Sequence, residues 1–359
     1  MKVLHIINNL TMGGAENLLV SMLPLMREEI EVDLLLLDGK ESPLLDKLNA
    51  YNINIIRWPN SHLYNPVIIF KIIPIIKNYS IVHVHLFPAM YYVAFAKLLS
   101  WSTVKLVFTE HSTNNRRLKS WFFRLTDRLV YLNYSKIVCI TPEVKNVLSK
   151  LGVSEKKLPV IYNGIQLEKF LEAVPYNRSE FGYSEHDIIL VMVAAFRREK
   201  NHSLVIKGLK ELDRKYKLLL IGDGYLKGEV ESEVNELDLN DRVKFLGVRD
   251  DVNRLLKTCD IGILSSHWEG FGLAAVEAMA SGLPVVASDV SGLAEVVMGG
   301  GLLFEKGNAT DLKAKIMSLE KKEYNYDIRR KCLDKARQYN LKATVDQLLR
   351  LYNALDHTR

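Results

Sequence analysis

The chain has few cysteines and no long hydrophobic run, and each absence removes a class of protein. The cysteines of the 359-residue chain are Cys139, Cys259 and Cys332. Because they are widely spaced and odd in number, they suit a reducing compartment and suggest neither a disulfide framework nor a metal site. The longest apolar neighbourhood, residues 67–76, is interrupted by Lys71 and Pro74. It falls short of the roughly 20 apolar residues that a membrane-spanning helix needs.

The start of the chain also lacks the pattern of a targeting signal. Met1 and Lys2 lead directly into a short apolar run at residues 3–7, which Asn8 and Asn9 follow. That run is too short for the apolar core of a signal peptide. We therefore expect a cytoplasmic protein.

Composition and charge fit a globular protein of two domains. Apolar residues make up 48% and charged residues 25% of the chain, and its length predicts two full cores. Residues 1–165 hold 19 Lys and Arg against 12 Asp and Glu, whereas the remainder holds 29 against 30. A basic first half suits an anionic membrane surface or a phosphate-bearing substrate, and a plain solvated face explains it equally well.

Short buried strands alternate with helices twice along the chain. This pattern predicts an α/β protein with two doubly wound parallel sheets. The expected organisation is a first domain at residues 1–165, a linker at 166–186, a second domain at 187–338 and a C-terminal helical segment at 339–359.

The segment at residues 267–284, HWEGFGLAAVEAMASGLP, carries the strongest chemical pattern. Gly270, Phe271 and Gly272 form a turn that leaves backbone N–H groups uncovered. Strong helix formers follow, so a helix should begin near Gly272 or Leu273. The exposed amides at the start of a helix bind phosphate groups.

Two carboxylates flank this turn. Glu269 precedes the helix and Glu277 lies one to two turns inside it. A carboxylate accepts hydrogen bonds from sugar hydroxyls, so the arrangement suits a sugar nucleotide, with ribose at one acid and the transferred sugar at the other. On spacing alone, two glutamates on a solvated helix are an equally good explanation.

The segment closely resembles the donor-binding signature of retaining glycosyltransferases with the GT-B fold, the family 4 group. A buried strand precedes it at residues 259–264 and another follows at 285–288. The resemblance implies two Rossmann-like domains that face a central cleft. It also implies a nucleotide-sugar donor, most simply a UDP-sugar, and a saccharide or lipid-linked acceptor. It requires no cofactor and no metal, and nothing in the sequence indicates a nucleic-acid partner.

Three features of the first half extend the resemblance. Gly13 and Gly14 lie between a strand and a helix, which suits a phosphate-approach loop or a plain turn, and the string GGAE resembles the first loop of the family. His83 and His85 share one face of the fourth strand and resemble the family's HxH strand. We interpret them as core histidines, because no third metal ligand has suitable spacing. His111 ends the fifth strand and matches the family histidine beside the sugar-transfer centre.

The second half adds a cation and two loops. Lys200 matches the family lysine that neutralises the leaving diphosphate, but the family arginine falls on Ala195. Arg197 or Arg198 could substitute, and we prefer Arg197. Gly222 belongs to a GDG turn that resembles the family's GDG.

The loop after the next strand contains Val248 and Arg249. In the family this loop holds the nucleobase, largely through backbone groups. Residues 116–133 are basic, aromatic and helical in pattern. They suit a membrane surface or a core-facing helix with a solvated rim.

We therefore predict a retaining glycosyltransferase of polysaccharide or glycolipid biosynthesis, with Lys200, Glu269, His111 and Arg197 as catalytic residues. Lys200, an arginine near 197, the helix start at 272–273 and the amides of Gly13 and Gly14 would stabilise the departing diphosphate. Glu277 would hold the ribose and Glu269 the sugar. Two alternatives stay open: a UDP-sugar epimerase of similar build, and a non-catalytic partner subunit that keeps the fold.

Overall fold

The computed structural model describes residues 1–11, 13–58, 62–113 and 120–357, without the side chain of Phe122. They form two compact units, the first made of Met1–Gly164 and Leu341–Arg359, the second of Ile165–Asn340. Each unit contains one six-stranded sheet in which every pairing is parallel. The predicted pair of doubly wound parallel sheets is thus confirmed.

The sheet of the first unit has the strand order β3-β2-β1-β4-β5-β6. Its strands are β1 (Lys2–Ile7), β2 (Glu31–Leu36), β3 (Asn54–Arg57), β4 (Ile81–His85), β5 (Lys105–Glu110) and β6 (Lys136–Cys139). The central strands are near-continuous runs of buried residues, as expected of a parallel sheet covered on both faces.

Seven helices surround this sheet in the described part of the unit. They are α1 (Gly14–Glu29), α2 (Pro43–Leu48), α3 (Ile68–Ile76), α4 (Ala89–Ser100), α5 (Trp121–Leu132), α6 (Pro142–Lys150) and the last helix of the chain, α15 (Leu341–Asp356). In α15, Thr344 Oγ1 donates to the Tyr162 carbonyl at 3.0 Å, and the Tyr352 hydroxyl contacts the ring of His83. The C-terminal helix therefore packs within the first unit. None of the described helices is both long enough and apolar enough to cross a bilayer.

The sheet of the second unit has the order β12-β11-β10-β7-β8-β9. Its strands are β7 (Ile188–Val193), β8 (Tyr216–Ile221), β9 (Val243–Gly247), β10 (Ile261–Leu264), β11 (Val285–Ser288) and β12 (Leu302–Phe304). Its helices are α7 (Leu167–Leu171), α8 (His202–Lys210), α9 (Lys227–Glu236), α10 (Val252–Thr258), α11 (Leu273–Ala280), α12 (Leu293–Val297), α13 (Ala309–Ser318) and α14 (Lys322–Ala336).

The segment predicted as a linker, residues 166–186, is an ordered part of the second unit. It contains α7 and a 3-10 turn at Arg178–Phe181, which a capping box at Asn177 begins. The Tyr176 amide donates to Thr258 Oγ1 at 2.9 Å, and Arg178 pairs with Asp260 at 2.7 Å. The polar composition of the segment suggested a solvated connection, whereas its polar groups bond to the body of the unit.

Each sheet reverses its strand order once, and parallel sheets bind ligands in the crevice beyond the carboxyl ends of the strands at such a point. The reversal lies between β1 and β4 in the first unit and between β7 and β10 in the second. The loops that follow these four strands carry most of the predicted site residues. The structure therefore brings together, within each unit, side chains that are far apart in sequence.

Candidate active site

The loop after β7 presents Lys200 at the reversal point of the second sheet. A 3-10 turn at Arg198–Lys200 ends at Asn201, whose φ of 51° is left-handed, and α8 follows. The Lys200 amide donates to the Arg197 carbonyl at 3.0 Å, which closes the turn. Asparagine tolerates this backbone conformation better than most residues.

Hydrogen bonds fix the loop after β10 against this turn. Ser265 Oγ donates to the carbonyls of Lys200 and Asn201 at 2.9 and 3.0 Å, and the His267 amide donates to the Glu199 carbonyl at 2.7 Å. Ser265 is buried, so these bonds are largely shielded from water. These hydrogen bonds join the loops after β7 and β10 into one edge of the site. This role of Ser265 was not predicted from the sequence.

Two of the predicted catalytic residues meet at this edge. The Lys200 ammonium forms an ion pair with Glu269 Oε2, and the same oxygen accepts a hydrogen bond from Ser266 Oγ at 3.2 Å. The side chains of Lys200 and Glu269 are 24% and 16% exposed. A pair so little exposed is held in one orientation, and either charge would be costly without the other. Glu269 thus positions the lysine.

The turn after Glu269 depends on glycine at two places. Gly272 has φ of 88°, and a Cβ there would lie 2.5 Å from Leu293 Cδ1. Gly292, at the start of α12, has φ of 84°, and a Cβ there would lie 2.4 Å from the Glu269 carbonyl oxygen and 2.7 Å from that of Gly270. Only a residue without a side chain lets these segments approach so closely. Gly292 therefore allows the start of α12 to pack directly against the backbone of the turn.

Phe271 anchors the turn from inside the unit. It was predicted to contact the donor, but its ring is 2% exposed and packs edge-on against Tyr339 at a centroid distance of 5.3 Å. A buried aromatic ring stabilises the turn through the apolar surface that it removes from water. Its side chain is therefore structural.

The helix α11 begins at Leu273, with Gly272 as its N-cap, where the sequence indicated a helix start. The amides of Ala275 and Val276 donate to the Gly272 carbonyl at 2.9 and 3.4 Å. The earlier amides of a helix have no acceptor within it, and the helix dipole adds partial positive charge there. The helix start can accept an anion.

Glu277 lies in the second turn of α11 and is half-buried. Burial raises the pKa of its carboxyl to about 7, and Lys169 opposes the rise only in part. Among the described residues, no side chain or amide hydrogen-bonds to this carboxylate. Such an acceptor is suited to ligand hydroxyls.

The remaining predicted cations are exposed. The Arg197 amide donates to the Ala195 carbonyl at 2.7 Å, and the side chains of Arg197 and Arg198 both face solvent. Neither guanidinium forms an ion pair with a residue that the structure describes. The choice between them stays a prediction.

Two glycines predicted to bind the donor have amides that the protein already uses. The Gly13 amide donates to the Thr11 carbonyl and the Gly222 amide to the Gly247 carbonyl, both at 2.8 Å. A Cβ on Gly222 would lie 2.2 Å from the Ala194 carbonyl oxygen. Gly222 thus lets two loops pack closely. Gly14 is the first residue of α1, and the first amides of a helix have no acceptor within it. Of the two glycines, Gly14 is therefore the better placed to offer its amide to a ligand.

The loop after β9 holds its arginine in place. Arg249 donates to both carboxylate oxygens of Asp251 at 2.8 and 2.6 Å, and the Tyr176 hydroxyl donates to the same carboxylate at 2.5 Å. The hydrogen bonds from Arg249 lower the pKa of Asp251 to about 2. Val248 is 51% exposed. Because the guanidinium is occupied, contact with a base through backbone groups suits this loop better. Sequence reasoning missed Asp251 as the partner of Arg249 and Tyr176 as the second donor to that carboxylate.

In the first unit, the reversal point is lined by histidines. His5 Nδ1 lies 3.0 Å from His85 Nε2, and His85 Nδ1 lies 3.5 Å from Nε2 of the predicted catalytic His111. His83 Nε2 lies 2.7 Å from Thr109 Oγ1. The predicted core role of His83 and His85 agrees with their burial. The expectation that no third ligand is suitably placed is wrong, because His5 pairs in register with His83 from the adjacent strand and brings a third ring nitrogen within 4.8 Å of those of the other two.

Models of two protein families match the chain. The model described as Glycosyltransferase Family 4 matches residues 12–169, and that described as Glycosyl transferases group 1 matches residues 175–339. Each match falls largely within one of the two units.

Three relatives illustrate the range of similarity. An uncharacterized glycosyltransferase of Methanocaldococcus jannaschii is 36% identical over 191 residues, 52% of this chain, and the chain spans half of its length. The N-acetyl-alpha-D-glucosaminyl L-malate synthase of Bacillus anthracis is 30% identical over 69% of this chain and 67% of its own. The N-acetylgalactosamine-N,N'-diacetylbacillosaminyl-diphospho-undecaprenol 4-alpha-N-acetylgalactosaminyltransferase of Campylobacter jejuni is 27% identical over 85% of this chain and 86% of its own.

Solved structures share the fold. The crystal structure of Anabaena HepE in complex with UDP-glucose covers 99% of this chain and 100% of its own, with a TM-score of 0.88 and 21% sequence identity. That of WaaG, a glycosyltransferase involved in lipopolysaccharide biosynthesis, covers 98% and 99% with a TM-score of 0.71 and 15% identity. At these identities the likeness establishes the architecture, which is GT-B.

Proposed function

The chain belongs to the group 1, family 4 glycosyltransferases, and on this premise we propose that it transfers a sugar from a UDP-sugar to a lipid-linked saccharide with retention of the anomeric configuration. The observation that carries the proposal is the Lys200–Glu269 pair at the reversal point of the second sheet, beside the start of α11. A fixed cation and a helix start form a site for a diphosphate.

The chemistry that this site supports is the stabilisation of a leaving group. As the bond between the anomeric carbon and the diphosphate oxygen breaks, the electron pair stays on the oxygen and its negative charge grows. The Lys200 ammonium and the first amides of α11 are in place before that charge develops, which is when they lower the barrier most. Glu269 and Ser266 hold the ammonium in position. The acceptor hydroxyl attacks the same face, and its proton passes to the departing phosphate. No divalent metal is needed in this scheme.

Glu277 is proposed to bind the ribose. Its carboxyl has a pKa of about 7, so most molecules carry the anion above that pH, and two ribose hydroxyls can donate to it. The exposed backbone around Val248 is proposed to receive the base. The UDP-glucose in the similar HepE structure makes UDP-sugars the first donors to test.

An anionic membrane surface is the proposed location of the acceptor. The helix α5 exposes an apolar stripe at i, i+4, i+8 and i+11, with the side chains 52–77% exposed: Trp121, Leu125, Leu129 and Leu132. Its opposite face is buried through Val130 and Tyr131. A core-facing helix with a solvated rim would have polar residues on its exposed face, so that interpretation does not explain the exposed apolar stripe. Arg116, Arg117 and Lys119 of the predicted basic stretch lie outside the described residues.

Charge and apolar surface occur together on this helix, as membrane binding requires. The exposed Arg124 and Arg128 lie at the border of the stripe, where they can meet lipid phosphates while the apolar side chains enter the acyl region. The Campylobacter relative is named for a diphospho-undecaprenol substrate. A lipid-linked acceptor for this chain would present its sugar at the same surface.

A donor screen followed by a transfer assay tests the enzymatic proposal. UDP-sugars that bind the folded state should raise Tm, and the effective donor should transfer its sugar to an undecaprenyl-diphosphate-linked acceptor. The NMR coupling of the product's anomeric proton then reports retention or inversion. A product of inverted configuration would contradict the proposed stereochemistry. Conversion of the donor to another UDP-sugar without acceptor would identify an epimerase instead.

Vesicle flotation tests the membrane surface. The Leu129→Gln/Leu132→Gln variant should bind phosphatidylglycerol vesicles about tenfold more weakly than the parent, because it loses two exposed apolar side chains. The matched control is Met298→Gln, an exposed apolar side chain of the second unit at 62% exposure. Equal binding by the double variant and the control would remove α5 from the membrane contact.

A further inference from the structure

Three histidines of the first unit form a continuous chain of ring nitrogens. His5 comes from β1, His85 from the end of β4 and His111 from the residue after β5. The distances are 3.0 Å from His5 Nδ1 to His85 Nε2 and 3.5 Å from His85 Nδ1 to His111 Nε2. His5 and His85 are fully buried, so water does not compete for these bonds.

The arrangement is that of a hydrogen-bonded chain and not of a metal site, although His5, His83 and His85 bring nitrogens within 4.8 Å of one another. A metal lies in the plane of each imidazole that binds it, so ligand rings must converge on one point. Here the rings of His5 and His85 are nearly parallel, at 13°, with centroids 5.3 Å apart and nitrogens 3.0 Å apart, so these two nitrogens face each other edge to edge. The rings of His83 and His85 stack, with centroids 4.4 Å apart and an interplanar angle of 27°. His83 also directs one nitrogen to Thr109 and the other to Tyr352.

The rings of this chain are neutral at physiological pH. Burial lowers the pKa of His5 to about 3 and that of His111 to about 4, and burial together with the neighbouring rings places the pKa of His85 well below its usual value. A neutral imidazole has one N–H and one lone pair, so it donates once and accepts once.

This rule couples the three rings, because both links join an Nδ1 to an Nε2. If His5 donates through Nδ1, His85 accepts at Nε2 and must donate through Nδ1, and His111 accepts at Nε2 and carries its proton on Nδ1. If the direction is reversed, all three rings carry the proton on Nε2. A mixture of tautomers would break at least one of the two hydrogen bonds.

The row of three histidines has one closed end and one open end. His5 Nε2 is buried and has no hydrogen-bond partner among the residues that the structure describes. At the other end His111 is only partly buried, and its Nδ1 has no hydrogen-bond partner in the part of the chain that the structure describes. His111 Nδ1 is therefore the nitrogen that a ligand can reach, and its character as donor or acceptor depends on the tautomers of His5 and His85.

We propose that His85 and His5 are positioning residues that fix the ring of His111 and couple its tautomer to their own, so that all three imidazoles share one tautomer. His111 then presents a defined donor or acceptor at Nδ1 to a sugar hydroxyl. The link to catalysis rests on the proposed function, whereas the shared tautomer does not.

Nitrogen-15 NMR of the histidine-labelled protein tests the tautomers without any substrate. The shifts of the two ring nitrogens and their couplings to the carbon-bound protons separate the Nδ1–H and Nε2–H forms, and single substitutions assign the signals. The same tautomer in His5, His85 and His111 supports the proposal in either direction. Different tautomers in these rings overturn it, as does a Zn²⁺-induced shift of all three signals with a rise in Tm.

Kinetics then separate a positioning role from a merely structural one. His85→Phe keeps the ring volume but removes both hydrogen bonds, and we expect about a tenfold loss of kcat with little change in donor KM, since His111 loses its orientation. His85→Asn offers an amide where Nδ1 was and should recover most of this loss. The control Thr109→Val removes the 2.7 Å bond to His83, outside the chain, and should leave kcat within about twofold.

The two arms distinguish the possible failures. A shared tautomer in a protein that transfers no sugar would leave the coupling intact and remove the proposed function. An active enzyme in which His85→Phe and Thr109→Val lower kcat equally, with no recovery in His85→Asn, would overturn the positioning role.

Discussion

The reversal points of the two sheets share a topology but differ in chemistry. In the second unit the loops there hold a charged pair, Lys200 and Glu269, and a glycine-dependent turn before a helix start. In the first unit the same place holds the histidine chain of His5, His85 and His111, whose pKa values burial lowers. The fold therefore selects the place, and the residues select what it can bind.

The difference follows from what each group does when it is shielded from water. A buried ammonium must be paired, so the second unit supplies a carboxylate and keeps a cation that an anionic ligand can approach. A buried imidazole becomes neutral instead and then donates and accepts hydrogen bonds. The second unit is suited to phosphate and the first to hydroxyl groups. Substitutions at each point should therefore affect different kinetic steps.

The largest effect is expected from Lys200→Met. Removing the ammonium that pairs with Glu269 should lower kcat about 10²- to 10³-fold, because it withdraws stabilisation of the departing diphosphate. The measurement is kcat and donor Kd for the variant and for Lys207→Met. Lys207 lies on α8 and is 63% exposed, so the same charge change there should leave kcat within about twofold.

Folding must be separated from catalysis in this comparison. Lys200→Met leaves the Glu269 carboxylate unpaired, whereas Lys200→Met/Glu269→Gln removes both charges. The double variant should recover stability without recovering activity. Recovery of kcat in the double variant would mean that the charged pair of the second unit is structural.

The next largest effect is expected from Gly292→Ala. A methyl group there would press on the carbonyl oxygens of Glu269 and Gly270 and move the turn that positions Glu269. We expect kcat/KM to fall about 10- to 100-fold, since small displacements of positioning groups are costly. The matched control is Gly299→Ala, which has φ of 82° against 84° at Gly292 but no atom within 4 Å. Both positions have a positive φ, so the close contact at Gly292 is the difference that this pair of variants tests. Equal losses in the two variants would show that strain alone is responsible.

The sequence predicted the charged site far better than the neutral one. Glu269, Glu277 and the helix start at Leu273 lie in one continuous segment, so local helix and turn chemistry located them. Lys200 came from the family resemblance, and its contact with Glu269 depends on two strands meeting in the sheet. A local sequence pattern does not reveal which strands are neighbours in the sheet.

The histidine chain shows the same limit more clearly. His5 and His85 are 80 residues apart, and only the parallel pairing of β1 with β4 brings them within 3.0 Å. A histidine inside an apolar strand gives no signal of its own beyond burial. Likewise, Phe271 was predicted to contact the donor and residues 166–186 to be a linker. The ring of Phe271 instead packs on Tyr339, and Arg178 of the segment pairs with Asp260.

A smaller effect is expected from pH through Glu277. Its pKa of about 7 means that the carboxylate forms as pH rises through neutrality, and hydroxyl donors favour that anion. Donor affinity should therefore increase about five- to tenfold from pH 6 to pH 8 and then level off. Isothermal titration over this range measures it, with Glu277→Gln as the pH-independent control. The same slope in that variant would assign the pH dependence to another group.

Without ligand, the same carboxyl should act on stability in the opposite direction. Because its folded pKa is raised above the unfolded value of about 4.3, the folded state holds this proton more tightly. Its contribution is therefore largest below pH 4 and is lost as pH rises to 7. Glu277→Gln should exceed the parent in free energy of unfolding by about 1–2 kcal/mol at pH 8 and by almost nothing at pH 4.

The smallest effect is expected from Gly13→Ala in the first unit. Its φ of −120° is open to any residue, and the nearest atom to a new Cβ is Glu16 Oε2, the end of a flexible side chain, at 2.2 Å. Alanine keeps the backbone amide at this position, and that amide already donates to the Thr11 carbonyl. The substitution therefore removes no hydrogen-bond donor from a ligand. We expect kcat/KM within about threefold and a free energy of unfolding within about 1 kcal/mol of the parent. A loss as large as that of Gly292→Ala would mean that the first unit also needs close backbone approach to the phosphates, and the division of roles between the two reversal points would fail.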